Sequence, residues 1–322
     1  MQGMKRKQWC LILLLGSLLL SSCGTTAIGQ ITEEATVTEA VTTAETEVPD
    51  QTAGEQTPVR IAILDSGIST AVIDPESLEG GLNMIRPLSD TEDTIGHGTA
   101  VASIIVGSEA AGVEGICPQA VLIPLVYCAA DYLGRTENAD AVMVGEMIRE
   151  AVDTFHCDII NISSASTTDD SSLREAVEYA LNQGVIVITC AGNANLTAPG
   201  AIYYPGAYDG VICVGSVNAE GRISDFSQRG DDIDFVAPGE ELPAATMDGE
   251  RTSVTGTSFA AAYVTGIVAG ILTEQPGLRE NSEDFSATVL EQLKQRAEDI
   301  CEPGWDEDSG WGCLSVKGVK GN

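Results

Sequence analysis

From residue 59 onward the chain alternates short apolar runs with longer stretches of helical period. The runs 59–64, 121–126, 158–163, 185–190 and 211–217 are rich in Val and Ile and show little polar alternation. That pattern predicts strands buried on both faces, as in a parallel sheet. Between them, 141–153 and 172–182 predict helices, and 286–299 predicts an amphipathic surface helix. A further apolar helix is predicted to open at His97. A last one, running from the turn at Gly256 to about Thr273, has no polar face and should be buried. Its small residues (Ala260, Ala261, Ala262, Gly266, Ala269, Gly270) let neighbouring strands pack close. Strand and helix in alternation give an α/β fold: a doubly wound, mostly parallel sheet with helices on both faces.

The pattern is different before residue 59. Lys5, Arg6 and Lys7 precede an apolar run over 10–20 and then small residues. This is a secretory leader, too short to span a membrane as a helix. It ends Leu20-Ser21-Ser22-Cys23, which resembles a bacterial lipobox. The resemblance implies a signal peptide over 1–22, a lipid on Cys23, and a membrane tether on the extracytoplasmic face. An ordinary signal peptide cut near Ser22 is the alternative. Residues 24–58 hold ten threonines and seven acids but no basic residue. The stretch 23–58 therefore reads as a disordered spacer, and 59–322 as one folded domain.

Composition removes some classes of function. With 16 basic and 48 acidic residues the formal charge is −32, and no basic stripe interrupts the acidity, so nucleic acid is not expected as a partner. Of nine cysteines, Cys10 leaves with the leader and Cys23 takes the lipid. Cys117, Cys128, Cys157, Cys190, Cys213, Cys301 and Cys313 remain, with no CxxC or Cys/His cluster for zinc. Cys190 and Cys213 lie in strand-like runs and are expected as buried free thiols. Cys301 and Cys313 bracket a turn-rich segment and could form a disulfide.

Four residues carry candidate chemistry. Asp65 ends the first strand, His97 stands between two glycines at a helix start, Asn193 follows Gly192 beyond a strand, and Ser258 sits on the first turn of the last apolar helix. Each has a bland explanation in isolation: a strand-ending acid, a structural histidine, a turn asparagine, a capping serine. The other histidine, His156, reads as a solvated connector. Together the four can form a line in which the carboxylate orients the imidazole, the imidazole takes the serine proton, and the amide receives an oxyanion.

The motifs around them are Asp65-Ser66-Gly67, His97-Gly98-Thr99 with Val101-Ala102, Ala191-Gly192-Asn193, and Gly256-Thr257-Ser258 with Ala260 and Val264. Ile160-Asn161-Ile162-Ser163, Tyr204-Pro205-Gly206 and Ala237-Pro238-Gly239 support them. Over roughly 59–316 this closely resembles the subtilisin-like serine proteases (subtilases). The resemblance implies a monomeric extracytoplasmic endopeptidase acting on peptide or protein through an acyl-enzyme. Ser258 would be the nucleophile, His97 the base and then acid, Asp65 the orienting anion, and Asn193 with the Ser258 N–H the oxyanion hole. Substrate would lie between Ser163-Ser164-Ala165 and Cys190-Ala191-Gly192, with Tyr203 beside them. An inactive peptide-binding module is the alternative. An esterase is disfavoured because no Gly-x-Ser-x-Gly elbow is present and the histidine is not last in order.

The chain departs from the family pattern at several points. Ala262 and Tyr263 stand where proline and histidine are usual, and Ser163-Ser164-Ala165 where Ser-Leu-Gly is usual. Tyr203 replaces a frequent glycine; pointed into the specificity pocket, its ring would favour a small residue before the cleaved bond. The spacer is too short and polar to be a folding prodomain, so the domain either folds unaided or uses a separate partner. No cofactor is expected. The loop 107–112 lacks the family's calcium ligands, which leaves only weak calcium elsewhere on the acidic surface.

Overall fold

The computed structural model describes residues 57–281 and 285–316. The leader, Cys23 and almost all of the spacer lie outside them. Seven strands form one sheet: β1 (Arg60–Asp65), β2 (Leu82–Asn83), β3 (Val121–Val126), β4 (Ile159–Ile162), β5 (Ile186–Cys190), β6 (Ile212–Val217) and β7 (Phe235–Pro238). They lie in the order β7-β6-β5-β4-β1-β3-β2, every neighbouring pair parallel.

Burial on both faces explains the apolar runs. Ile61 and Ile63 point to one face, where they join the core beneath two helices, α1 (His97–Val106) and one described below. Ala62 and Leu64 point to the other face, onto α2 (Ala141–Asp153) and α3 (Ser171–Asn182). Asp140 and Asp170 cap these two helices by accepting backbone N–H bonds from Met143, and from Ser172 and Leu173.

The buried helix expected at Ser258 is α4 (Thr257–Glu274); α5 (Gly277–Asn281) and α6 (Phe285–Arg296) follow it. By length and composition α4 could cross a bilayer, but 78% of it is buried inside the domain, so it is a core helix. Its one fully buried hydroxyl beyond the first turn has a reason. Thr265 Oγ1 donates to Asn161 Oδ1 at 3.0 Å, and Asn161 Nδ2 donates to Ser163 Oγ at 2.8 Å. Each buried polar group on β4 is thereby satisfied.

Three antiparallel hairpins are not visible in the sequence pattern: Gly107–Ser108 with Val113–Glu114, Cys128–Ala130 with Thr136–Asn138, and Leu242–Ala245 with Arg251–Val254. Their strands are two to four residues long, too short to show a period. The possible Cys301–Cys313 disulfide is not formed. Both are free thiols, and the Cys313 backbone is instead paired with Glu298. Cys190 and Cys213 are buried free thiols, as expected.

The two glycines of α4 respond differently to a side chain. A Cβ on Gly266 would lie 2.7 Å from Ile116 Cβ, whereas one on Gly270 meets nothing within 4 Å. Gly266→Ala should destabilise by about 1–3 kcal/mol through overpacking. Gly270→Ala should stabilise by about 0.5–1 kcal/mol through helix propensity. Thermal melts of the two variants should therefore move in opposite directions.

Candidate active site

The strand that follows β3 in the sheet sequence, β4, lies on the opposite side of β1. At such a reversal, at the carboxyl ends of the strands, open α/β sheets have the crevice that holds their ligands. Asp65 is the last residue of β1, Ser163 follows β4, Cys190 ends β5 and Asn193 comes three residues later. The first turns of α1 and α4 bring His97 and Ser258 to the same edge.

Asp65 is only 2% exposed. It accepts from Ser66 N at 2.7 Å, and its two oxygens lie 2.8 and 2.9 Å from His97 Nδ1. A carboxylate only accepts, so Nδ1 carries the proton and the neutral ring keeps its lone pair on Nε2. Burial alone would lower the imidazole pKa. The charge and hydrogen bond of Asp65, with a contribution from Asp93, outweigh it and hold the pKa above 6.5.

On the facing side, Asn193 is exposed to the crevice while its amide oxygen is clamped. Oδ1 accepts from Thr257 N and Thr257 Oγ1, both at 2.9 Å, and Thr257 Oγ1 in turn accepts from Gly192 N at 3.1 Å. The clamp leaves the Asn193 NH₂ as the group free to donate. Ser258 is nearly buried, and its hydroxyl donates to the Ser163 carbonyl at 3.0 Å rather than to the imidazole. The residue after it, Phe259, places its ring 5.1 Å from that of His97, centroid to centroid, so the imidazole lies over the first turn of α4.

The predicted substrate walls stand on either side of Ser258. Ser163 is buried and Ser164 and Ala165 are half-buried, while Cys190, Ala191 and Gly192 are buried opposite. Ser166 and Tyr204 pair through two backbone bonds of 2.8 and 2.9 Å. The Tyr203 ring covers Gly192, where a Cβ would lie 3.1 Å from a ring carbon. The Tyr203 ring therefore packs on the Gly192 wall, while its neighbour Tyr204 pairs with Ser166. His156 is exposed beyond the end of α2 and takes no part.

A family model described as the Subtilase family matches residues 56–312. The chain belongs to that family. It is 33% identical over 248 residues to the major intracellular serine protease of Bacillus subtilis, covering 74% of this chain and 75% of that protein. It is 28% identical over 260 residues to the minor extracellular protease Epr of the same organism, covering 80% of this chain but only 38% of that protein. Among solved structures, the protease domain of PatA matches with a TM-score of 0.69 at 28% identity, over 83% of this chain and 96% of that one. Fervidolysin from Fervidobacterium pennivorans shares the fold, with a TM-score of 0.71 at 24% identity over 83% of this chain and 43% of that one.

Within this subtilase, the thiols near the site stay protonated. Burial, against hydrogen bonds from Ser258 and Thr257, pushes Cys190 up to about 11. Burial and the charge of Asp65 push Cys128 up to about 12. Both therefore stay thiols at neutral pH. Ala262 is fully buried, and the Tyr263 hydroxyl accepts from Val316 N at 3.1 Å, so these two departures serve packing. In the loop 107–112, the Ser108 hydroxyl is taken by Val72 O and Ala111 N. Among the described residues, possible metal ligands gather at Cys301, Asp306 and Asp308, where Asp308 pairs with Arg229 and Asp306 caps its own turn. Sequence reasoning missed three residues of the site: Thr257, Phe259 and Asp93. Thr257 and Phe259 flank Ser258, and that adjacency was the available signal.

Two histidines make the imidazole easy to follow. By NMR, His97 should titrate above 6.5, and Asp65→Asn should lower its midpoint. The pKa is raised in the folded state, so the stability this group contributes is complete below 6.5 and lost as pH rises through the folded value.

Proposed function

We propose that this subtilase is a serine endopeptidase with Ser258 as nucleophile, held on the outer face of the membrane by a lipid on Cys23. The observation that carries the chemistry is the buried Asp65 paired with His97 Nδ1, which leaves Nε2 as a base over the first turn of α4. Rotation of the Ser258 side chain from the Ser163 carbonyl to Nε2 starts the reaction, since catalytic hydrogen bonds are often incomplete without substrate. Ser258 Oγ attacks the peptide carbonyl as His97 takes its proton, and Asp65 stabilises the imidazolium. Asn193 Nδ2 and the Ser258 N–H donate to the oxyanion. His97 then passes the proton to the leaving amine, and water, activated by the same ring, releases the acyl group.

One observation favours the second reading, a peptide-binding module without turnover: the hydroxyl of Ser258 is engaged by Ser163. The intact Asp65–His97 pair and the Asn193 clamp support the peptidase. The lipid anchor is supported by residues 20–23. The Tyr203 ring packed over Gly192 supports a small residue (Ala, Gly or Ser) before the scissile bond, because a ring on that wall takes room a larger side chain would use.

A membrane-impermeant fluorophosphonate applied to intact cells should label the wild type and not Ser258→Ala. In Cys23→Ala the label should leave the membrane fraction; an unlabelled wild type would favour the binding module. In a peptide library the purified protein should select Ala, Gly or Ser before the cleaved bond. Enrichment of Phe, Leu or Tyr there would show that Tyr203 does not close the pocket.

A further inference from the structure

Five hydrogen bonds converge on one carboxylate outside the line of Asp65, His97 and Ser258. Asp93 is 9% exposed. Its Oδ1 accepts from Ser66 Oγ at 2.8 Å, Ile95 N at 2.9 Å and Gly96 N at 2.8 Å. Its Oδ2 accepts from Thr99 N at 2.9 Å and Thr99 Oγ1 at 2.7 Å. The N-cap residue of α1 is Gly96, which has no side chain to offer, so Asp93 takes over part of the capping.

Capping needs only the bonds to the start of α1. Asp93 also holds the segment leaving β1. Ser66 donates to Asp93 and accepts from Gly98 N at 3.0 Å, and Ser69 N donates to Thr99 Oγ1 at 3.0 Å. The joint is tight: a Cβ on Gly98 would lie 2.2 Å from the Gly67 carbonyl oxygen. Asp65 and His97 are 32 residues apart and on different elements. Their alignment depends on how the end of β1 is fastened to the first turn of α1.

We propose that Asp93 is a positioning residue of this site, a buried anion that locks the start of α1 to Ser66 and so aligns His97 with Asp65. This rests on the peptidase reading for its catalytic consequence but not for its structural one. The role also has an electrostatic side. The groups facing the imidazole are Asp65 from β1 and Asp93 from the loop before α1, both anionic, and the uncharged Ser258 and Phe259 from α4. Cys190 on β5 and Tyr127 and Cys128 after β3 remain neutral. Asp93 is therefore the second of two anions favouring the imidazolium that forms when Ser258 gives up its proton.

The test compares Asp93→Asn and Ser66→Ala with the wild type. Turnover is counted per active site titrated with a fluorophosphonate, and the His97 titration is followed by NMR. In Asp93→Asn, kcat per titrated site should fall by about 10²-fold, as for a misplaced catalytic group, with KM nearly unchanged. The pH midpoints of kcat/KM and of the imidazole should both move down. Ser66→Ala keeps the anion, so its midpoint should stay while kcat per site falls by roughly tenfold. Unchanged kcat per site and unchanged midpoints in folded Asp93→Asn would overturn the proposal. If that variant does not fold, unchanged kcat per site in Ser66→Ala would do so. A wild type that neither labels nor turns over would defeat the peptidase reading, and the imidazole midpoint in Asp93→Asn would still decide the role of Asp93.

Discussion

A carboxylate buried to 2% exposure cannot stand alone, because an unpaired charge in the interior is far more costly than the fold could absorb. Asp65 is therefore the point on which the arrangement turns. Its partners are a backbone N–H beside it and the imidazole of His97, so α1 must come down on the end of β1. That docking demands a glycine at 98, brings α1 against α4, and sets the Phe259 ring beside the imidazole.

Three hydrogen-bonded frames lie around His97, Asn193 and Ser258, one beside each. The Asp93–Ser66–Thr99 set fastens the start of α1, which carries His97, to the end of β1. The clamp of Thr257 fixes the amide oxygen of Asn193 and leaves its NH₂ to donate. The chain from Thr265 through Asn161 to Ser163 continues into the backbone of Ser258, whose carbonyl accepts from Ser163 Oγ at 3.2 Å. Apart from the Asn193 NH₂, the side-chain polar groups named in these frames have partners, and satisfied buried networks are rigid. The Ser258 hydroxyl contrasts with them: it is held by the Ser163 carbonyl alone, and the proposed mechanism turns it from there to the imidazole. In the proposed mechanism, fixed donors and a fixed base around one rotatable hydroxyl suit chemistry in which charge develops at a known place.

The same sheet accounts for the nearby thiols. Cys190 ends β5 against Thr257 and Ser258, and Cys213 lies in the neighbouring strand β6, both in surroundings that disfavour a thiolate. They pack as small apolar residues. The net charge of −32 favours solubility and repels anionic surfaces.

Much of this was determined by the order of residues alone. A strand covered on both faces is apolar at most positions, so β1, β3, β4, β5 and β6 stand out as apolar runs broken only by single polar residues such as Asn161 and Thr189. The Asp65, His97, Asn193 and Ser258 motifs stand out because glycines beside chemically active side chains have few other uses. Tertiary structure alone decided the rest. Hairpin strands of two to four residues carry no period, and whether Cys301 meets Cys313 depends on how the tail pairs with Glu298. Asp93 and Thr257 look in sequence like ordinary loop and helix-start residues. Their importance comes from what the fold sets against them, namely Ser66 across the crevice floor and the amide of Asn193. Hydrogen bonds between residues 27 and 64 positions apart leave no local signature. They exist only once the parallel sheet has brought its strand ends to a common edge.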